Sequence, residues 1–331
     1  MAPSAGLRQS FAGLSRNTFL LALASFFADI STETLYPVLP NFLTQTLKAG
    51  GSIVGLIDGF AQAAQNIVQG FSGALSDKLE KRKPIALAGY FLAAISKPLI
   101  GLSTTWQGVF GARLLDRIGA GSRSAPRDAL VASSVDDENR GRAFGLEGVG
   151  DNAGAFLGPV LALFLLYLVH IDIRTIFYLA VVPGLLAFLM VLLVKERPKP
   201  ALAKSKLDVS VRLFPRQYWA YLRATAVFGF GNSSTAFLIL QTQGIGASLE
   251  TTILIYAAFN LRTHLVSGRN PLRPFRPKEC PSRSLSRFLS RLSWLRADEH
   301  NPGHGRAVRP LWSLPGHLPS RRQGPRRGFR A

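Results

Sequence analysis

The chain has 331 residues, 47% hydrophobic and 18% charged, with a net charge of +20 and a single cysteine. Its apolar residues are gathered into blocks of about 20, long enough to cross a hydrocarbon core as helix, a pattern that excludes an ordinary soluble domain. The lone Cys280 excludes an intramolecular disulfide and leaves the redox compartment open.

The charge is uneven. After Asn260 the chain carries 15 Arg and 1 Lys against 3 acids, a surplus of 13, which leaves a surplus of 7 for everything before it. A basic total of this size ordinarily points to nucleic acid or an anionic membrane surface, but here most of it belongs to one tail.

The first apolar block, near Thr18–Leu39, follows Arg8 and Arg16 and starts like a signal peptide. It runs on through Asp29, Glu33 and Pro37, past any cleavage point, and five more apolar blocks follow, so an uncleaved first membrane helix is expected. Asp29 and Glu33 lie one turn apart on one face. Carboxylates at membrane depth face a bundle interior or a wet cavity, whereas near the end of a span they sit among headgroups; both placements fit.

The second block, Ser52–Leu75, carries Asp58, Gln62, Gln65 and Gln69 at helical spacing. That stripe belongs against other helices or water, as interhelical hydrogen bonding or as a translocation path. Gly73 to Pro84 then reads as a tight polar turn with two acids and four bases. The third block, Pro84–Leu102, is interrupted by Lys97, which either snorkels outward or pairs with an acid. In the fourth, Gln107–Val131, Arg113, Asp116 and Arg117 fall on one helical face, where opposite charges partly neutralise one another, and Gly119 and Gly121 admit a close neighbour.

The fifth block, Ala143–His170, contains Gly150, Gly154 and Gly158 at four-residue spacing, followed by Pro159: a small-residue ridge for tight helix packing. Glu147 and Asp151 share a face within reach of the arginines of the fourth block. Ile176–Val194 is uncharged throughout. A basic, proline-containing linker extends from Lys195 to Arg216, then further helices are expected at Trp219–Leu240 and from Thr251 to Leu261.

Placing the amino terminus inside puts Lys78, Lys81, Arg82, Lys83, Arg140, Arg142 and the seven bases of the linker on one side. Only Lys48 and Arg174 fall on the other, a consistent positive-inside signal. Six helices, a basic linker and then more helices is the plan of one transporter half followed by another.

The stretch Gly73-x-x-x-Asp77-Lys78-x-x-Lys81-Arg82 resembles the loop between the second and third membrane helices of the major facilitator superfamily, with Glu80 in place of the usual glycine. Arg113-x-x-Asp116-Arg117-x-Gly119-x-Gly121 is similar to that family's fourth-helix motif, and Gly154-x-x-x-Gly158-Pro159 resembles its fifth-helix motif. The resemblance covers about residues 16–260. It implies an all-α integral membrane protein of the cell (plasma or inner) membrane, multi-pass and monomeric, moving a small-molecule substrate with a proton or ion by alternating access, without a cofactor. It also implies that Asp77 caps or bridges to a helix of the second half, and that Arg113 lies near the coupling acid or the substrate, tuned by Asp116. Asp29, Glu33, Asp58 and Gln62 are candidates for protonation or substrate contact on their own chemistry.

The expected organisation is a six-helix bundle at 1–194, a cytoplasmic linker at 195–216, a partial second bundle of about two helices at 217–261 and a disordered Arg/Pro/Ser-rich tail at 262–331. The change of character inside an apolar segment, within the eighth of the twelve helices the resemblance implies, reads as translation out of frame or a damaged gene that leaves a truncated, inactive carrier, with a genuine basic tail as the alternative. Leu285, Phe288, Leu289 and Leu292 form a weakly amphipathic run there, and Cys280, His300 and His304 lack metal-ligand context. An enzyme is not expected, since the body has one histidine, His170, and no cysteine. A second reading, a basic-tailed membrane protein binding anionic lipid or nucleic acid, rests on nonspecific charge alone.

Overall fold

A computed structural model of the chain describes residues 13–79, 81–196, 215–231 and 234–267. The linker interior, Glu80 and everything expected of the tail from 268 onward, Cys280, His300 and His304 included, lie outside the described residues. The described residues form helices and no strand. In order these are α1 (Arg16–Leu35), α2 (Leu39–Asn41), α3 (Gly51–Leu79), α4 (Arg82–Leu102), α5 (Trp106–Ser133) and α6 (Arg140–Leu163). Then come α7 (Ile173–Leu179), α8 (Val181–Leu192), α9 (Arg216–Gly231), α10 (Thr235–Gly244) and α11 (Leu249–Ser267). Wide π-turns at Phe42–Thr46 and Phe164–Leu168 prolong α2 and α6.

Several boundaries differ from expectation, each for a local reason. The first span does not end near Pro40: α1 stops at Leu35, and helix resumes at Leu39 and winds on to Thr46. Pro37 and Pro40 have no N–H to offer the carbonyls of Glu33 and Tyr36, so the ladder is interrupted there without ending the span. The sixth span breaks at Ala180, because Pro183 cannot donate to the Leu179 carbonyl; the Ser31 hydroxyl donates to the neighbouring Ala180 carbonyl at 2.7 Å, alongside Gly184 N–H at 3.4 Å. The expected single helix at Trp219–Leu240 is two, α9 and α10, with Ser234 capping the second through Ala236 N–H at 3.1 Å. α11 runs past the expected limit at Leu261 to Ser267.

The largest correction concerns Gly73 to Pro84. It is not a turn: α3 is helical through Asp77 and Lys78 to Leu79, and α4 begins at Arg82. Polar residues outside the hydrocarbon do not stop a helix, because every backbone group is still bonded internally. The 29 residues of α3 rise about 44 Å, well beyond a hydrocarbon core of about 30 Å.

Polarity is inverted relative to a soluble protein. Phe71 is 73% exposed, while Arg113 and Asp116 are 1% exposed. Exposed Phe60, Ile67, Leu157, Leu185 and Leu189 form an apolar exterior suited to lipid. Among the described residues, four helical stretches (Arg16–Thr46, Arg82–Leu102, Asp137–Leu168 and Ile173–Leu192) are long and apolar enough to cross a membrane by length and composition alone. α3 and α5 have the length, but polar residues dilute their hydropathy.

The packing explains where those polar residues go. α1 lies against α6 and α8, α4 against α5 and α8, α3 against α5, and α11 against α6. Two large apolar clusters result, one around Leu35, Phe42, Ile57, Ile100 and Phe177, the other around Leu21, Ala28, Tyr90, Leu130 and Val191, beside a small third one of Val38, Ala162 and Ile253. In α4 and α5 the chain between these clusters carries Lys97, Arg113, Asp116, Arg117 and Arg123, so a charged layer separates two apolar ones. The ridge of α6 meets α1 closely: a Cβ on Gly150 would lie 2.4 Å from the Ala22 carbonyl oxygen, and one on Gly154 2.5 Å from that of Phe26.

Candidate functional site

The charged layer is built on Asp116. Its Oδ2 accepts from Arg113 Nη1 at 2.9 Å and from Arg117 Nε and Nη2 at 2.9 and 2.8 Å. Its Oδ1 is engaged by Lys97 Nζ from α4. Lys97 therefore pairs inward with an acid and does not snorkel. Arg117 also donates to Gln65 Oε1 on α3 at 3.1 Å. One carboxylate thus serves three buried bases from two helices, with Arg113 and Lys97 almost wholly removed from solvent. Such a cluster is held only where geometry and added hydrogen bonds offset the desolvation of each ion.

Arg113 also lines a cleft between α2 with its flanking residues, α3, α5 and α10, together with Tyr36, Leu43, Ile57, Asp58 and Ala236. Its guanidinium lies 5.7 Å from the centre of the Tyr36 ring. Two carboxylates beside this region accept from hydroxyls that arrive late in the chain. Asp58 accepts from Ser234 Oγ at 2.5 Å, and Glu33 from Tyr256 Oη at 2.6 Å, with Tyr256 stacked on Tyr36 at 5.6 Å. Glu33 is well inside the 31-residue path Arg16–Thr46, and a Cβ on Gly158 would stand 2.7 Å from Glu33 Cβ. Asp29 likewise lies at the α1–α6 contact, 2.8 Å from such a Cβ on Gly154. Both acids belong to the bundle interior, not to the headgroup end of the span.

A second network joins α1, α5 and α6 further along α5. Arg127 pairs with Glu147 at 2.9 Å and approaches Asp151 at 3.8 Å, while Ser25 Oγ donates to Glu147 Oε1 at 3.0 Å. The carboxylates of α6 do meet an arginine of α5, and it is Arg127.

The stretch around Asp77 is more open. Asp77 is 57% exposed and stands 3.6 Å from Arg82, whereas Lys78 and Lys81 are exposed. A Cβ on Gly73 would approach Ala125 Cβ to 3.2 Å, so α3 and α5 are close there. Arg82 reaches the Ala129 carbonyl at 3.3 Å. Glu196, just after α8, accepts from the backbone N–H groups of Arg82 at 2.7 Å and Lys83 at 3.3 Å. It supplies acceptors for two of the orphan donors at the start of α4 and a charge suited to that end of the helix dipole. Glu196→Ala is expected to cost about 1 kcal/mol and to lower the apparent Tm in detergent by a few degrees, with Glu196→Gln losing less.

The candidate residues fall into separate groups. Arg113, Asp116 and Arg117 are together; Asp58 shares the cleft with Arg113; Glu33 and Asp29 flank the α6 ridge of Gly154 and Gly158, with buried Pro159 inside the helix. Gln62 is exposed, and its neighbour in the stripe, Gln65, makes the contact with Arg117. Sequence reasoning passed over Ser234 and Tyr256, whose partners are 176 and 223 residues away and leave no local signal. Arg123 and Arg127 did leave one: they are charged residues one turn apart within a membrane-length block, and Arg123 stacks on Tyr90 at 4.4 Å.

Inverted polarity, a charged interior layer and paired long helices define a polytopic membrane fold. The sequence profile of the Major Facilitator Superfamily matches residues 21–274, and the chain belongs to that superfamily, whose members are membrane transporters and not enzymes. An uncharacterised MFS-type transporter of Methanocaldococcus jannaschii is 37% identical over 232 residues, covering 70% of this chain and 57% of the relative. The quinolone resistance protein NorA of Staphylococcus aureus is 26% identical over 225 residues, covering 67% and 57%. Among solved structures, a bacterial homologue of the human lysosomal transporter Spinster, inward-facing and occupied, superposes with a TM-score of 0.61. It shares 16% identity and covers 80% of this chain and 60% of that one, a likeness of fold. The chain spans about 57% of the length of the first of these relatives.

Proposed function

We propose that this chain forms the first half and part of the second half of a carrier that moves a small solute across the cell membrane by alternating access, coupled to a proton or another ion. In this reading residues 1–194 are one bundle, 195–216 a cytoplasmic linker, 217–261 the start of a second bundle, and the amino terminus faces the cytoplasm. The observation that carries it is the placement of Arg113 and Asp58 in one interior cleft, beside the Asp116 cluster. A buried base and an acid bordering the same space provide a solute contact and a protonatable group whose states affect each other.

The hydroxyl bonds to Asp58 and Glu33 support the coupling part of the proposal. Each ties a carboxylate of the first six spans to α10 or α11, so protonation of the acid alters a contact between the segments that alternating access must move. Gly73, Asp77, Lys78, Lys81 and Arg82 are assigned to conformational control at the α3–α4 junction, and Gly154, Gly158 and Pro159 to the α1–α6 contact. A relative named for quinolone resistance agrees with a small organic solute.

The test is flux into proteoliposomes carrying the full chain under an imposed pH gradient, with a fluorescent quinolone as probe. Gradient-driven accumulation is expected. Arg113→Ala should reduce it to the level of empty liposomes, and Asp58→Asn should retain downhill movement while losing the response to the gradient. Coupled transport that survives in Arg113→Ala would sink this assignment.

A further inference from the structure

A cavity of about 10 Å³ lies between α1, α4, α5 and α8, room for one water molecule and for no organic solute. Its wall is polar for a bundle interior: Ser31 and Thr32 of α1, Tyr90 and Lys97 of α4, and Arg123 of α5 all line it. Tyr90 is 2% exposed, and its Oη is buried without a hydrogen-bond partner among the described residues. Nε and Nη2 of Arg113 are in the same position, but that residue does not line this cavity. A buried hydroxyl without a partner is costly and uncommon in a folded interior, and here it belongs to a residue that borders room for one.

The wall offers both halves of a water's bonding. Lys97 has three N–H donors, and Asp116 is the one acceptor bonded to it among the described residues. Ser31 offers lone pairs, because its own hydrogen is donated to the Ala180 carbonyl at 2.7 Å. Its Oγ stands beside Gly184, another residue of the wall, where a Cβ would lie 3.2 Å from it. The Thr32 and Tyr90 hydroxyls can donate or accept. Arg123 is turned to the Tyr90 ring, 4.4 Å from its centre, and no carboxylate lines the cavity. A halide is disfavoured, since it would face the lone pairs of Ser31 with no hydrogen to offer them.

We propose that this cavity is a binding site for a single ordered water that joins α1 to α4. The water accepts from Lys97 Nζ–H, donates to Ser31 Oγ and is the missing partner of the Tyr90 hydroxyl, with Thr32 as a fourth contact. Two to four polar partners are what a buried water requires. It gives the Lys97 ammonium an acceptor besides the overcommitted Asp116, which Arg113 and Arg117 share, and so completes the charged layer from the side away from Asp58. The inference goes beyond the transport reading and does not depend on it.

The first test is the sign of a stability change. Tyr90→Phe removes the hydroxyl and keeps the ring under Arg123. With a water bonded to that hydroxyl, the apparent Tm of the full chain in detergent should fall by about 2–4 °C. A hydroxyl with no partner is a penalty that Phe would relieve, so an unchanged or higher Tm would overturn the proposal. The second test needs no variant: X-ray radiolytic labelling of the full chain in lipid nanodiscs, where radicals from a bound water oxidise the side chain beside it. Tyr90 should be oxidised well above Phe177, which is 0% exposed and not on the cavity wall. After brief mixing with ¹⁸O-water the added oxygen should still be mainly ¹⁶O, from a water that exchanges slowly. Labelling of Tyr90 no faster than Phe177 would overturn the proposal, and this result decides alone if Tyr90→Phe does not fold. A saturable rise in Tm with sodium chloride or bromide that sodium gluconate does not give would assign the cavity to a halide and overturn the water.

Discussion

Replacing Asp116 with alanine is expected to be the most damaging single change in the charged layer. Lys97, Arg113 and Arg117 converge on this carboxylate, and no other acid is ion-paired with any of them among the described residues. Removing one partner of a buried ion cluster typically costs about 3–5 kcal/mol, because the charges left behind have lost both water and their counter-ion. The apparent Tm of the detergent-solubilised protein should fall by on the order of 10 °C. The origin of the loss is testable by a cycle with Lys97→Met. If uncompensated charge is the cause, the double variant should be more stable than the sum of the single changes predicts. A fall of less than about 1 kcal/mol for Asp116→Ala would mean that the three bases reach water and that the layer is not sealed.

The second large effect belongs to the crossing of α4 and α5. A Cβ on Gly119 would lie 2.6 Å from the Ala93 backbone nitrogen and 2.8 Å from the Gly89 carbonyl oxygen. One on Gly89 would in turn meet the Gly119 carbonyl oxygen at 2.6 Å. These obstacles are backbone, so no side chain can swing aside and the helices must separate. Separation would strain the Lys97–Asp116 contact across the same crossing. Gly119→Ala should therefore destabilise by about 1–3 kcal/mol, and Gly119→Val by more. Gly59→Ala in α3 is the matched control, since a Cβ there meets nothing within 4 Å. Alanine is the better helix former by about 1 kcal/mol, so that variant should be neutral or slightly stabilised. Equal losses at Gly59 and Gly119 in thermal unfolding would show that close approach is not what Gly119 provides.

Much of the site was legible before the fold was known, and the failures have physical causes. Arg113, Asp116 and Arg117 announce themselves because three charges on one face of a membrane-length helix must find partners inside. Their partner Lys97 was visible, but its direction was not: a lysine stem reaches inward or outward with equal ease. The stretch from Gly73 to Pro84 has the polarity of a turn and the backbone of a helix as far as Leu79, because polarity sets where a helix meets water and not where it ends. The divisions in the first and sixth spans follow from Pro37, Pro40 and Pro183, whose effect depends on which carbonyls find another donor.

By itself the sequence determined the membrane class, the order of the spans and the small-residue ridge of Gly150, Gly154 and Gly158. These depend on the length of apolar runs and on helical spacing, which are local quantities. Only the tertiary structure decided that Asp29 and Glu33 belong to the α1–α6 contact, that Asp58 answers Ser234, that Glu33 answers Tyr256, and that one edge of Arg113 is left without a partner. Those facts join residues up to 223 positions apart. The spacing along one helix fixes which side chains share a face, but it carries no information about which distant helix that face will meet.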